Sequence, residues 1–275
     1  MSRTILIGDL HGCYEETVAL LKKCDVSARD WVIFLGDYVD RGPENAKCCD
    51  LVRHREQVQG KAAGILGNHE EKHLDHEECV RRKGRLPEQT PLTHLATRAQ
   101  LKPEHYEWFR TLPFFLRIPE HNAVAVHAGV FPGRTIEEQK ARHLLHIQMI
   151  KPWSVSEDGT KRWLYKDGEL HEKSIWPSRV PPGEEGWAFW HHFWDGPEFV
   201  IFGHSVMDRP LLTDKVAGID GGAVFGRALH ALVLDGDTRS IVTVYGQTDY
   251  GKGSRGVQNK SIMTYEIHPG VFMYS

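Results

Sequence analysis

An α/β fold with two mixed sheets is what the sequence predicts, and three observations predict it. Five short apolar runs, TILIG (4–8), WVIFLG (31–36), AAGILG (62–67), AVAVHAG (123–129) and FVIFG (199–203), each stop at a glycine, as buried strands do where a chain must turn. Helix-like stretches separate the first three, and strand–helix–strand alternation implies parallel pairing through right-handed crossovers. Runs near the end, HALVLDG (230–236), SIVTVYG (240–246) and IMTYEI (262–267), are expected to pair antiparallel and to supply a second sheet.

Taken in order, Tyr14 to Cys24 with Val18, Leu20 and Leu21 reads as the first helix, and Asn45 to Arg55 with Cys48, Leu51 and Val52 as the second. Residues 71–112 read as mainly helical and charged. Pro103 suits the first turn of a helix carrying Tyr106, Trp108, Phe109 and Leu112. Phe114 to Ile118 and Ala123 to His127, joined by Pro119-Glu120-His121-Asn122, form an expected hairpin. Residues 151–197 differ in texture, holding six of the eight tryptophans: Trp153, Trp163, Trp176, Trp187, Trp190 and Trp194. Packing of this elaboration on the sheets is preferred to an aromatic wall beside a binding crevice. No repeat breaks the chain, so residues 1–275 are expected to form one domain.

Composition limits the functions open to it. Hydrophobic residues at 40% and charged residues at 26% support a sizeable core, and a net charge of −3 argues against a nucleic-acid footprint. The cysteines, Cys13, Cys24, Cys48, Cys49 and Cys79, are odd in number, lack zinc-type spacing and read as reduced thiols. The N-terminal apolar run is too short for a signal-peptide core, and no segment approaches the roughly 20 apolar residues of a membrane span. A cytoplasmic setting without membrane attachment is the expectation.

Polar residues after the strand-like runs carry the chemistry. GDLHG supplies Asp9 and His11; GDYVDRG supplies Asp37, Asp40 and Arg41; GNHE supplies Asn68, His69 and Glu70; VHAG and FGHS supply His127 and His204. In open parallel sheets the loops leaving the carboxyl ends of strands form the ligand crevice, so these side chains are expected to meet. Carboxylate, imidazole and amide donors without thiolates suit borderline or hard divalent ions, and their number exceeds what one ion needs. Taken singly, each has a structural explanation: an aspartate before a helix can be an N-cap, and a lone histidine is more often hydrogen-bonded than ligating. The ordered set does not reduce to such accidents.

GDxHG, GDxxDRG, GNHE, VHAG and GH in this order, over residues 8–205, resemble the metallophosphoesterase superfamily, in its phosphoprotein phosphatase and diadenosine tetraphosphatase branch. The resemblance implies a two-sheet mixed β-sandwich flanked by helices, which the strand pattern permits. It implies two divalent ions, manganese first with iron, zinc, magnesium, cobalt and nickel as alternatives. Asp9, His11 and Asp37 would hold one; Asp37, Asn68, His127 and His204 would hold the other. Hydrolysis would proceed by attack on phosphorus of a hydroxide bridging the ions. His69 would protonate the leaving oxygen, Asp40 would orient His69, and Arg41, with Asn68, would hold the phosphate.

Arg179, 25 residues before His204, is carried as a second phosphate contact. His146-Ile147-Gln148 stands where diadenosine-type relatives often have an arginine; Gln148 is able to hydrogen-bond a phosphate, and His143, His146, His191 and His192 read as surface or packing residues. The aspartate at 40 resembles protein phosphatases, whereas VHAG, FGHS and IDGG resemble the tetraphosphatases. The expected substrate is a phosphorylated one: phosphomonoesters of the Ser/Thr phosphoprotein type first, nucleotide polyphosphates such as symmetrical dinucleoside tetraphosphates second. A non-catalytic phosphate-binding module would be expected to have lost a ligand, and none is missing.

Overall fold

Successive side chains of β1 (Thr4–Ile7) leave opposite faces of the sheet: Ile5 and Ile7 pack outward against helices, while Leu6 points into the interior. β2 (Trp31–Phe34) repeats the pattern, Val32 and Phe34 outward and Ile33 inward. Burial on both faces explains why these runs are continuously apolar rather than alternating. They belong to a computed structural model that describes residues 2–59, 62–151 and 188–253, with short strands at 154–155, 161–162 and 172–173.

The first sheet runs, in order, β15 (Thr238–Tyr245), β14 (Ala228–Asp235), β1, β2 and β3 (Ala62–Gly64). β1, β2 and β3 run parallel, connected by α1 (Tyr14–Lys23) and α2 (Asn45–Gln59), whose Leu20, Leu21, Cys48, Cys49 and Val52 cover the outer face. α3 (Asn68–Lys83), α4 (Leu92–Gln100) and α5 (Pro103–Thr111) follow, and Pro103 takes the first turn of α5 as expected. The expected hairpin is β4 (Phe115–Ile118) against β5 (Ala123–Val126). α6 (Ala141–His146) precedes five two-residue strands, β6 (Met149–Ile150), β7 (Ser154–Val155), β8 (Lys161–Arg162), β9 (Glu172–Lys173) and β10 (Ala188–Phe189). β11 (Phe199–Phe202), β12 (Leu211–Leu212), β13 (Val216–Gly218), β14 (Ala228–Asp235) and β15 (Thr238–Tyr245) complete the order.

The second sheet is β12-β13-β11-β5-β4, with β5, β11 and β13 parallel. Leu6, Ile33 and Leu232 of the first sheet and Ala125, Ile201 and Ala217 of the second share one buried cluster, the interior of the sandwich. Here one expectation is corrected. The antiparallel pair β14–β15 does not build the second sheet; β14 pairs with β1 and extends the first. Seven of its eight residues are buried, so it needs a position with neighbours on both sides, between β1 and β15. IMTYEI lies outside the described residues.

Of the tryptophan-rich stretch, Trp190 and Trp194 are described. Both pack on the outer face of the second sheet, with Val126, Val200 and Phe202. Trp190 donates Nε1–H to Ala128 O at 3.1 Å, and a Cβ on Gly129 would lie 2.2 Å from that nitrogen, so glycine in VHAG makes room for the indole. Trp153, Trp163, Trp176, Trp187 and the expected phosphate contact Arg179 lie outside the described residues.

Candidate metal centre

Six parallel strands, β1, β2, β3, β5, β11 and β13, point their carboxyl ends at one crevice. The chain turns sharply there. Five of the seven non-glycine residues with positive φ among the described residues are His11, Asp37, Asp40, Arg41 and His204, at φ of 43° to 71°. Left-handed backbone is uncommon outside glycine, and its concentration at one place marks a site whose geometry the fold imposes.

Backbone carbonyls fix the rings. Val39 O accepts from His11 Nδ1 at 2.7 Å and Leu35 O accepts from His127 Nδ1 at 2.8 Å, so in each ring the proton sits on Nδ1 and the Nε2 lone pair faces the crevice. His11 Nε2 lies 3.4 Å from Asp37 Oδ2; His127 Nε2 lies 3.4 Å from Asp37 Oδ1 and 2.9 Å from Asn68 Oδ1. His204 Nδ1 meets Asn68 Oδ1 at 2.9 Å, and the His204 backbone N–H donates to both Asp9 oxygens at 3.1 Å. A Cβ on Gly203 would lie 2.1 Å from Asp9 Oδ1, which is why that position is glycine. Two sets of ligand-grade atoms, His11–Asp37–His69 and Asp37–His127–His204, each fall within 4.8 Å, and Asp37 belongs to both.

The electrostatics fit cations. Burial, then the charges of Asp220 and Asp37, push Asp9 well above the usual carboxylate range. Burial also lowers His11, His127 and His204, favouring the neutral, ligating imidazole. For Asp37 burial acts upward, whereas positive charge beside it, on the His127, His69, His11 and His204 rings when protonated or on cations bound in their place, acts downward and holds the group ionised. Buried carboxylates facing one another beside lone pairs make a donor set that divalent ions would neutralise.

Arg41 and His69 flank this centre. His69 Nδ1 bonds Asp40 Oδ2 at 2.6 Å, its backbone N–H donates to Asp37 Oδ1 at 3.0 Å, and its Nε2 stands 3.9 Å from Asp37 Oδ2. The Arg41 guanidinium contacts His11 Nε2 and lies over the Phe225 ring, 5.6 Å from its centroid. A cavity of about 190 Å³ is lined by Asp37, Arg41, Asn68, His146, Gln148, His204 and Val206. His146 is therefore no distant surface residue: it sits at the cavity edge, paired with Glu71 at 2.6 Å.

The model of the calcineurin-like phosphoesterase family matches residues 2–208, well over half of the chain. The chain belongs to the calcineurin-like phosphoesterase family. This phosphoesterase is 31% identical, over about half of each chain, to a symmetrical bis(5'-nucleosyl)-tetraphosphatase of Shewanella sediminis. It is 28% identical to serine/threonine-protein phosphatase 1 of Salmonella typhimurium, over 82% of this chain and 88% of that one. A solved structure provisionally named a diadenosine tetraphosphatase superposes with TM-score 0.67 at 26% identity, covering 89% of this chain and 94% of that one. Membership makes the protein a hydrolase.

Four residues to which the sequence assigned no role lie here: Glu70, Asp220, His73 and His94. Glu70, fully buried, accepts the backbone N–H groups of Asp37 (2.9 Å), Tyr38 (2.8 Å), Val39 (3.2 Å) and Gly67 (3.1 Å), tying the GDYVD loop of the phosphoesterase to the start of α3. Its place at the third position of a helix capped by glycine was the available signal. Asp220, after β13, is a buried carboxyl that burial raises to about 6. His73 Nε2 bonds Asp40 Oδ1 at 2.9 Å, and His94 Nε2 lies 3.4 Å from Asp40 Oδ2; no loop motif announces either.

Proposed function

We propose that this chain is a dimetal phosphomonoesterase whose substrates are alkyl phosphates of the phosphoserine and phosphothreonine type. Asp9, His11 and Asp37 would hold one divalent ion and Asp37, Asn68, His127 and His204 the other, manganese first among the ions such donors accept. Bound there, the ions would supply Lewis acidity and an activated water. Arg41 presents a planar fork for two phosphate oxygens at the cavity mouth, assisted by Asn68 and Gln148. Arg179 is retained as a proposed second contact.

The observation that carries the substrate class is the His69–Asp40 pair. Asp40 accepts from Nδ1 and balances the imidazolium, leaving Nε2–H for the leaving oxygen. An alkoxide is too strong a base to depart unprotonated, so an alkyl phosphate requires this acid; a nucleotide phosphate leaves without it. A second reading, hydrolysis of dinucleoside polyphosphates, is favoured by the names of the relatives and by Phe225 beside Arg41, an aromatic face near the phosphate position.

The test compares a phosphoserine peptide, para-nitrophenyl phosphate and diadenosine tetraphosphate, each with the manganese-loaded wild type and with Asp40→Asn. The expected result is peptide hydrolysis by the wild type and a loss in Asp40→Asn of roughly 10²-fold on the peptide but far less on the nitrophenyl ester, whose leaving group is weakly basic. Preferential cleavage of the dinucleotide, with Asp40→Asn nearly as fast, would replace the first reading by the second.

A further inference from the structure

Asp40 faces more imidazole than one acid catalyst requires. His73 lies on α3, one turn beyond His69, and His94 lies on α4; together with His76 their rings form a triangle with centroids 5.3, 5.4 and 6.1 Å apart. His73 is fully buried and His76 nearly so, and His94 is 14% exposed. Among the described residues, none is a hydrogen-bond partner for the buried Nδ1 of any of the three, so the groups that face Asp40 are the Nε2 atoms of His73 and His94. His94 Nε2, at 3.4 Å from Asp40, is too distant for a good hydrogen bond.

We propose that Asp40, His73 and His94 form a third divalent-cation site, separate from the centre around Asp37, that takes an ion of the zinc class. One ligand atom from each falls within a 4.8 Å span. Four-coordinate ligands about 2.1 Å from zinc stand about 3.4 Å from one another; His73 Nε2 is 2.9 Å from Asp40 Oδ1 and His94 Nε2 is 3.4 Å from Asp40 Oδ2, so an ion would take the carboxylate through both oxygens or turn it to share one. Two imidazoles and a carboxylate are a set that zinc accepts, leaving a fourth position for water. Burial pushes His94 down to about 4, so near neutral pH it is the uncharged ring that ligates. To bind, His73 carries its proton on Nδ1, freeing Nε2. The ion then draws charge from the carboxylate that balances His69, so occupancy slows proton delivery to the leaving group.

The test counts ions. Protein loaded with manganese is titrated with zinc and desalted, and total manganese plus zinc per chain is measured; exchange at the Asp37 centre leaves this total unchanged. Three ions are expected in the wild type and two in both His94→Gln and His73→Asn, with thermal melts showing that each variant is folded. An equal count in wild type and folded variants, or a wild type that stops at two, overturns the site. Asp37→Asn, which breaks the shared-aspartate centre, is expected to keep its zinc at Asp40, so the count stands apart from hydrolytic activity. The second readout rests on the phosphomonoesterase reading: zinc slows hydrolysis of a phosphoserine peptide roughly tenfold in the wild type, part of the 10²–10⁴ that a general acid supplies. His94→Gln, compared with its own zinc-free rate, is expected to lose that sensitivity, and persistence of the full effect in this variant refutes the link to Asp40.

Discussion

Replacing Glu70 by glutamine removes one oxygen from the middle of the crevice and puts an amide N–H₂ in its place. Each Glu70 oxygen accepts two backbone N–H groups, Oε1 from Tyr38 and Val39 and Oε2 from Asp37 and Gly67. Whichever oxygen is lost, two buried donors lose their acceptor and face another donor. At about 1–3 kcal/mol for each unsatisfied buried N–H, the change costs roughly 2–6 kcal/mol, a large part of a total stability of about 5–15 kcal/mol. Burial and the neighbouring Asp37 charge push Glu70 upward, while the backbone N–H groups of Tyr38 and Asp37 that it accepts pull it down. Urea unfolding of metal-free protein reads the loss without a metal contribution. Glu71→Gln is the control: Glu71 pairs with His146 at a half-exposed position, and its loss is expected to cost under about 1 kcal/mol. Because Glu70 also sets the backbone at Asp37, metal content should fall with stability. A Glu70→Gln protein within about 1 kcal/mol of wild type and with full metal content would refute the claim that this carboxylate organises the two loops.

Other outcomes follow from the same geometry. His230 is buried against Thr243, and burial lowers it to about 4, against about 6.5 in the unfolded chain. The folded protein therefore resists protonation; its stability is intact above pH 6.5 and falls as pH drops toward 4, by about 2 kcal/mol at pH 5 from this ring. Urea unfolding at pH 7 and pH 5 should show that share disappear in His230→Gln. Gly203→Ala forces a Cβ against Asp9 Oδ1 and should lower bound metal per chain while the distant β14–β15 pair keeps its circular-dichroism signal. Trp190→Ala, emptying a fully buried site, should cost about 3–5 kcal/mol in urea, and Trp190→Phe, which keeps most of the volume but not the bond to Ala128, about 1–2 kcal/mol. Chelation of manganese-loaded, zinc-free protein should lower the melting temperature of the wild type, where buried carboxylates lose their counter-ions, and leave Asp37→Asn nearly unmoved.

By itself the chain determined the strands and the loops that end them. Residues buried on both faces must be apolar throughout, and a run such as WVIF followed by glycine has few other uses, so Asp9, Asp37, Asn68, His127 and His204 could be placed at strand ends from their neighbours alone. Only the tertiary structure decided which sheet received β14 and β15, since an antiparallel pair reads the same whichever edge it joins, and that choice is made by distant pairing with β1. It alone set Glu70 beneath two loops, Asp220 at a sixth strand end, His146 at the cavity and His73 with His94 around Asp40. These side chains lie on helices or after a very short strand, where sequence spacing fixes a face but not what that face meets. Local pattern reports burial and turns; the partner across a crevice is fixed by long-range packing, which no local pattern encodes.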